Sequence, residues 1–212
     1  MLLTARKRIP GGFLIASATI LMVRHAAHTQ LGRVLSGRAP GIELSPAGRE
    51  QARRLGAALA GEPLAAVHSS PVLRARSTAA ALERDGVVVE PVEALTEIDF
   101  GSWTGVAFDR LEGDPAWREW NEARARATPP RGEAMAAAQA RVMDHLRATA
   151  AVFTGRVVAM VSHCDLIRAA VAGVLGLSLD RILRFEIDPA SVTRIVAGPW
   201  GEKLLSLNER PA

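Results

Sequence analysis

Thr19-Ile20-Leu21-Met22-Val23 runs directly into Arg24-His25. A stretch of apolar and β-branched residues without polar alternation describes a short strand buried on both faces. The arrangement occurs twice more. Residues 64–68 (Leu-Ala-Ala-Val-His) lead into Ser69-Ser70-Pro71-Val72-Leu73-Arg74, and residues 157–161 (Val-Val-Ala-Met-Val) lead into Ser162-His163. In an open parallel sheet the carboxyl ends of the strands line one edge, where ligands bind. The three polar clusters can therefore meet although they lie far apart in the chain.

Helical patterns separate these runs. Ser45-Pro46 opens one, with Ser as N-cap, Pro at the first helical position, and Ala52, Leu55 and Leu59 at helical spacing. A second helix is predicted from residue 71 to Asp85-Gly86, and a third strand over residues 87–90. Residues 101–132 are irregular and rich in Trp, Pro and Arg, which predicts short helices in a mobile cover. Helices over 133–153 and 165–175 follow, and strands near 192–196 and 204–207 close the chain. This alternation predicts an α/β fold, a three-layer α/β/α sandwich with a mostly parallel central sheet.

The chain has 212 residues, 49% hydrophobic and 23% charged, with a formal net charge of +4. Such values exclude a disordered chain, a collagen-like fibre and a disulfide scaffold. No apolar run approaches the roughly 18 residues that cross a bilayer, so no membrane partner is expected. The isoelectric point of 10.4 does not imply nucleic acid. Tyr is absent, Lys7 and Lys203 are the lysines, and the arginines interleave with Glu and Asp, leaving no basic stripe. A lone cysteine forms no internal disulfide, which is compatible with a reducing cytoplasm. Arg6-Lys7-Arg8 ahead of residues 13–18 resembles a signal peptide, but its apolar core is too short and Gly11-Gly12 interrupts it. Residues 1–18 are expected to form a flexible leader and residues 19–212 a single domain. No heptad seam long enough for a coiled coil is present.

Two arginines and two histidines meeting at one sheet edge make a cationic pocket. Guanidinium forks match phosphate oxygens bidentately, and a neutral imidazole can attack phosphorus. Four blocks in the chain then resemble the histidine phosphatase superfamily, also called the phosphoglycerate mutase-like family, in that family's order. They are Val23-Arg24-His25-Ala26; Ser70-Pro71-Val72-Leu73-Arg74-Ala75 with Thr78-Ala79; Leu95-Thr96-Glu97 with Phe100-Gly101-Ser102-Trp103-Thr104-Gly105; and Val161-Ser162-His163 with Ile167-Arg168.

The resemblance implies a phosphomonoesterase. His25 would be the nucleophile and form a phosphohistidine. Arg24, Arg74 and His163 would hold the transferring phosphoryl group, and Glu97 would protonate the leaving oxygen and then deprotonate water. His28 stands where the family usually carries a hydroxyl residue and is counted among the substrate-binding residues. The substrate would be a phosphorylated small molecule, with no metal and no other cofactor required. Phe100 to Gly105 and Pro130-Arg131-Gly132-Glu133 look more like the phosphatase branch than the mutases. The alternatives are a 2,3-bisphosphoglycerate-dependent phosphoglycerate mutase and a non-catalytic phosphate-binding protein.

Several residues have plainer readings. His25, His28 and His163 lack a supporting carboxylate or cysteine cluster for a metal. His68 is expected to pack or hydrogen-bond, and His145 to sit on the surface. Trp103, Trp117 and Trp120 are expected to pack rather than to bind substrate. Cys164 is not the nucleophile of a Cys-x5-Arg loop, since Ala170 stands where the arginine belongs. The chain departs from the family at Ala26, His28, Leu31, Cys164 and Asp165. A carboxylate at Asp165, beside the second histidine, is expected to disfavour a second anionic group on the substrate. Arg33 and Arg38 are expected at the pocket rim.

Overall fold

The structure, a computed structural model, describes residues 17–210. Six strands form one sheet in the order β3-β2-β4-β1-β5-β6: β1 (Ala18–Arg24), β2 (Leu64–Ser69), β3 (Val89–Pro91), β4 (Val157–Ser162), β5 (Val192–Gly198) and β6 (Gly201–Glu209). The first four positions in that order are parallel, and β5 and β6 add to the β1 side antiparallel.

Alternate side chains of the central strands enter two separate cores. Ile20, Met22, Val158 and Met160 pack on one face with α5 (Met135–Val152) and α6 (Cys164–Leu175). Leu21, Val23, Ala159 and Val161 pack on the other with α1 (Pro46–Ala58) and α2 (Leu73–Ala79). Burial on both faces is why β1 and β4 read as unbroken apolar runs. The expected α/β/α layering and mostly parallel sheet are both present.

Residues 101–132 form a 3-10 turn (Gly101–Trp103), α3 (Phe108–Leu111) and α4 (Pro115–Glu122). Trp120 is fully buried, and Trp103 packs edge-on against Trp117 at 5.3 Å between centroids. The tryptophans are thus packing residues, as expected.

Four expectations need correction. Of the leader expected over residues 1–18, residues 1–16 lie outside the described residues, and Ser17 and Ala18 are buried and belong to the fold. The helix expected over 71–85 is shorter, because Ser70 Oγ accepts a hydrogen bond from Val72 N and holds Pro71 and Val72 in a bend. It ends early, in a 3-10 turn over Ala80–Leu82. The third strand starts two residues late, because Val87 turns back to bridge Arg84 across Gly86 at φ +77°. His145 is not a surface residue: it is half-buried, with Nε2 3.1 Å from Nδ1 of His68.

Candidate active site

Strand register brings the three polar clusters together. Arg24 of β1 lies beside Ser162 of β4, and Ser69 of β2 lies beside Val161 of β4. The chain continues the pairing one step past the strands: His25 N donates to Ser162 O at 2.9 Å, and Ser70 N to Val161 O at 2.9 Å. His25, Ser70 and His163 therefore leave one sheet edge side by side.

His25 is buried, and its ring is fixed from behind. Nδ1–H donates to Ala26 O at 2.8 Å, which leaves Nε2 as the unprotonated nitrogen. Arg74 Nε donates to that Nε2 at 3.2 Å, and Arg74 Nη2 donates to Gly37 O at 2.7 Å and approaches His163 Nδ1 at 3.2 Å. His163 completes the chain through Nε2, 2.8 Å from Ser70 Oγ. The neighbouring guanidinium makes Nδ1 the acceptor, so Nε2–H donates to Ser70. The two rings meet edge-on at 5.1 Å. Behind them, Thr78 Oγ1 takes the Ala26 N–H at 2.9 Å and donates to Arg74 O at 2.8 Å.

Arg24 Nη1 is anchored on Ile187 O at 2.5 Å. Arg24 Nε and Arg74 Nη1 are buried without a hydrogen-bond partner among the described residues. A buried guanidinium N–H left unsatisfied is costly unless an acceptor arrives, and two such donors flank the same imidazole.

Glu97 follows the 3-10 turn Glu93–Leu95, and its Oε2 lies 3.7 Å from His163 Nδ1. Ser162 Oγ donates to Leu95 O at 2.8 Å, tying this loop to the end of β4. His28 lies 5.4 Å from His25 between ring centroids. These groups line a cavity of about 140 Å³ that includes Arg24, His25, His28, Arg74, Glu97, Cys164 and Asp165. All the predicted site residues except His163 line that space, and His163 sits just behind Arg74.

Electrostatics sort the titratable groups. Burial, then Arg74 and Arg24, hold the His25 imidazole well below its ordinary value, so it is a free base at neutral pH. Burial and Arg74 do the same for His163. His28 is pushed down to about 4 by burial, Arg74 and Arg24. Glu97 is pushed up to about 7 by burial and by the Asp165 charge, against the pull of Arg74. Cys164 is raised to about 11, chiefly by burial, and its thiol stays protonated. A neutral imidazole, two cations and a carboxyl near neutral pH can together stabilise a phosphoryl group and exchange a proton with its ester oxygen.

Sequence reasoning left several contributors unassigned. Ser70 was visible in its block but had no role. Gly37, at φ +46°, supplies the carbonyl that anchors Arg74, and nothing local in the sequence points to it. Arg38 was expected at the rim and instead braces the acid loop, donating from Nε to Glu97 O at 2.7 Å. Arg33 is exposed and donates to Thr29 O. Asp165, the carboxylate beside the second histidine, pairs with Arg124 at 2.7 Å, a partner that nothing local in the sequence indicates, and with Arg168 at 3.5 Å.

Fold and cradle together define a class of α/β proteins that handle phosphoryl groups at a sheet edge. The chain belongs to the histidine phosphatase superfamily (branch 1), whose family model matches residues 20–210. Phosphoserine phosphatase 1 of Hydrogenobacter thermophilus is 30% identical to it over 195 residues, which cover 89% of this chain and 91% of that protein. Among solved structures, a mycobacterial glucosyl-3-phosphoglycerate phosphatase superposes with a TM-score of 0.79 at 27% identity, covering 91% of this chain and 99% of that one. YhfR of Bacillus stearothermophilus superposes with a TM-score of 0.84 at 26% identity, covering 91% and 97%. The chain is thus an enzyme of the metal-independent phosphatase type.

Proposed function

We propose that the protein hydrolyses phosphate monoesters of small molecules through a phosphohistidine on His25. The observation that carries this reading is the unprotonated Nε2 of His25, which accepts from Arg74 Nε and is flanked by two buried guanidinium N–H groups without a partner among the described residues. Phosphoryl transfer depends on charge stabilisation and in-line geometry, and these donors are placed to supply the first.

In the first step Nε2 attacks phosphorus and the P–O ester bond breaks. Glu97 in its acid form gives its proton to the departing alkoxide. The PO3 unit is then bonded to Nε2, Arg24 and Arg74 hold its oxygens, and His163 steadies the Arg74 guanidinium from behind. In the second step the Glu97 carboxylate takes a proton from water as that water attacks phosphorus. The P–N bond breaks, inorganic phosphate leaves, and both residues return to their starting states. A carboxyl near pH 7 is suited to both duties.

The phosphatase names of the relatives support hydrolysis over isomerisation. Residues 19–212 are read as one catalytic domain, supported by six strands in a single sheet. The lone, partly buried Cys164 suits a reducing compartment and supports a cytoplasmic reading. Among the described residues no helix is long and apolar enough to cross a membrane.

The test is hydrolysis of p-nitrophenyl phosphate without added metal by wild type and His25→Ala, with rapid quench for an acid-labile phosphoenzyme. Wild type is expected to turn over and to trap label on His25; the variant should do neither. Retained activity in His25→Ala overturns the assigned nucleophile. Isomerisation of 3-phosphoglycerate stimulated by 2,3-bisphosphoglycerate would favour the mutase alternative.

A further inference from the structure

Resting on the phosphatase reading above, we propose that the site selects phosphate esters whose leaving group bears no anion and donates a hydrogen bond, from an ammonium or hydroxyl, to Asp165. Esters of small amino alcohols fit; carboxylate-bearing esters do not.

The cavity lining carries the inference. Arg24 and Arg74 are its cations, and both face the phosphoryl position beside His25. Leu31, Val34, Leu35, Phe100 and Phe108 supply the apolar part of the remaining wall, beside Ser36. His28 also lines it, and burial beside two guanidinium groups keeps that ring uncharged at neutral pH. Among the described lining residues no third arginine or lysine is left to receive a second anion. Asp165 and Glu97, the acid of the proposed mechanism, are the carboxyl groups of the lining. Burial raises Asp165, but Arg124, Arg168 and Arg24 together hold it below its ordinary value, so it is ionised.

The pairing of Asp165 is lopsided. Oδ2 accepts from Arg124 Nη1 at 2.7 Å, whereas Oδ1 meets Arg168 Nη1 only at 3.5 Å. A carboxylate oxygen accepts more than one hydrogen bond, so Oδ1 keeps capacity for a donor from the cavity. Arg124 itself is buried against Trp120, 5.2 Å from the ring centroid, and does not line the cavity. A carboxylate entering here would shed its water against apolar side chains and face a second carboxylate. An ammonium or hydroxyl would meet an acceptor instead.

O-phosphoethanolamine and O-phosphoserine form a matched pair, differing by one carboxylate. We expect wild type to show kcat/KM at least about tenfold higher for O-phosphoethanolamine, the effect of one unpaired like charge. Asp165→Asn should shrink that ratio to about threefold or less. Because Asp165→Asn leaves Arg124 buried without its partner, the double variant Asp165→Asn/Arg124→Met is measured beside it, and the same shrinkage is expected. Equal or better turnover of O-phosphoserine by wild type, turnover of neither ester, or an unchanged ratio in both variants overturns the inference. Hydrolysis of p-nitrophenyl phosphate separates the two readings. If it persists, only the substrate inference has failed; if it is absent in wild type, the phosphatase reading has failed too.

Discussion

In the proposed mechanism His25 and Glu97 divide the chemistry through opposite responses to the same burial. Desolvation disfavours a charge on either, so the imidazole is held as a base and the carboxyl as an acid near neutrality. The sign of the pH dependence follows. P–O cleavage needs protonated Glu97, so kcat for a substrate limited by that step should fall tenfold per pH unit well above about 7. His25 should impose no loss as pH drops through the ordinary histidine value, because it remains unprotonated there. A pH profile of kcat for an alkyl phosphate checks both. Glu97→Gln should lower kcat for that alkyl phosphate by about 10²–10⁴. It should cost far less for p-nitrophenyl phosphate, whose leaving oxygen needs little protonation. Equal losses on the two substrates would remove Glu97 from the acid role.

Elements hold these residues through backbone contacts that tolerate little change. The Pro130-Arg131-Gly132-Glu133 turn docks on the Asp99–Gly101 bend: Glu133 N donates to Asp99 O at 2.8 Å and Ser102 N to Pro130 O at 2.9 Å. The Glu133 carboxylate then gathers Arg38 at 2.9 Å and Arg141 at 2.8 Å. Both arginines also donate to the Glu97 carbonyl, at 2.7 and 3.4 Å. Glu133 is therefore a positioning residue for the acid loop. Glu133→Gln should lower kcat about tenfold while KM moves little, since orientation rather than binding is lost. Steady-state kinetics with a circular-dichroism control tests this. On the opposite side, α1 begins at Ser45, whose Oγ caps Gly48 N at 3.0 Å. A Cβ on Gly48 would meet Ala27 O at 1.8 Å, directly behind the nucleophile segment. Gly48→Ala should destabilise the fold by about 1–3 kcal/mol in urea titrations. Ser45→Ala should cost about 1 kcal/mol and leave kcat unchanged.

At the scale of the whole molecule, the five histidines all lie in settings that hold them neutral: His25, His28, His68, His145 and His163. Burial is the first cause in each. The unfolded chain binds these protons near pH 6.5 and the folded chain does not. Stability present above pH 6.5 should therefore decline as pH falls below it. Glu97 opposes the trend, because its raised value favours the folded state below about 7, but it is one group against five. Urea midpoints at pH 7.5 and 5.5 should show the loss. His68→Asn together with His145→Gln should reduce it, since that pair shares a hydrogen bond between β2 and α5, away from the cavity.

The sequence alone determined which residues could carry the chemistry and how the layers alternate. Strand-length apolar runs, helical spacing and the Ser45-Pro46 start are local properties, and burial on both faces of the sheet leaves them unmistakable. Four motif blocks named Arg24, His25, Arg74, Glu97 and His163 in the same way. Only the tertiary structure decided what surrounds them. The Gly37 carbonyl under Arg74, the Arg38–Glu133–Arg141 brace and the Arg124–Asp165 pair join residues separated by 37, 95 and 41 positions. A hydrogen bond between distant residues leaves no periodicity in the chain. It exists only once strand register and loop closure bring the partners within reach, and the state of Glu97 and Asp165 follows from that assembled surrounding.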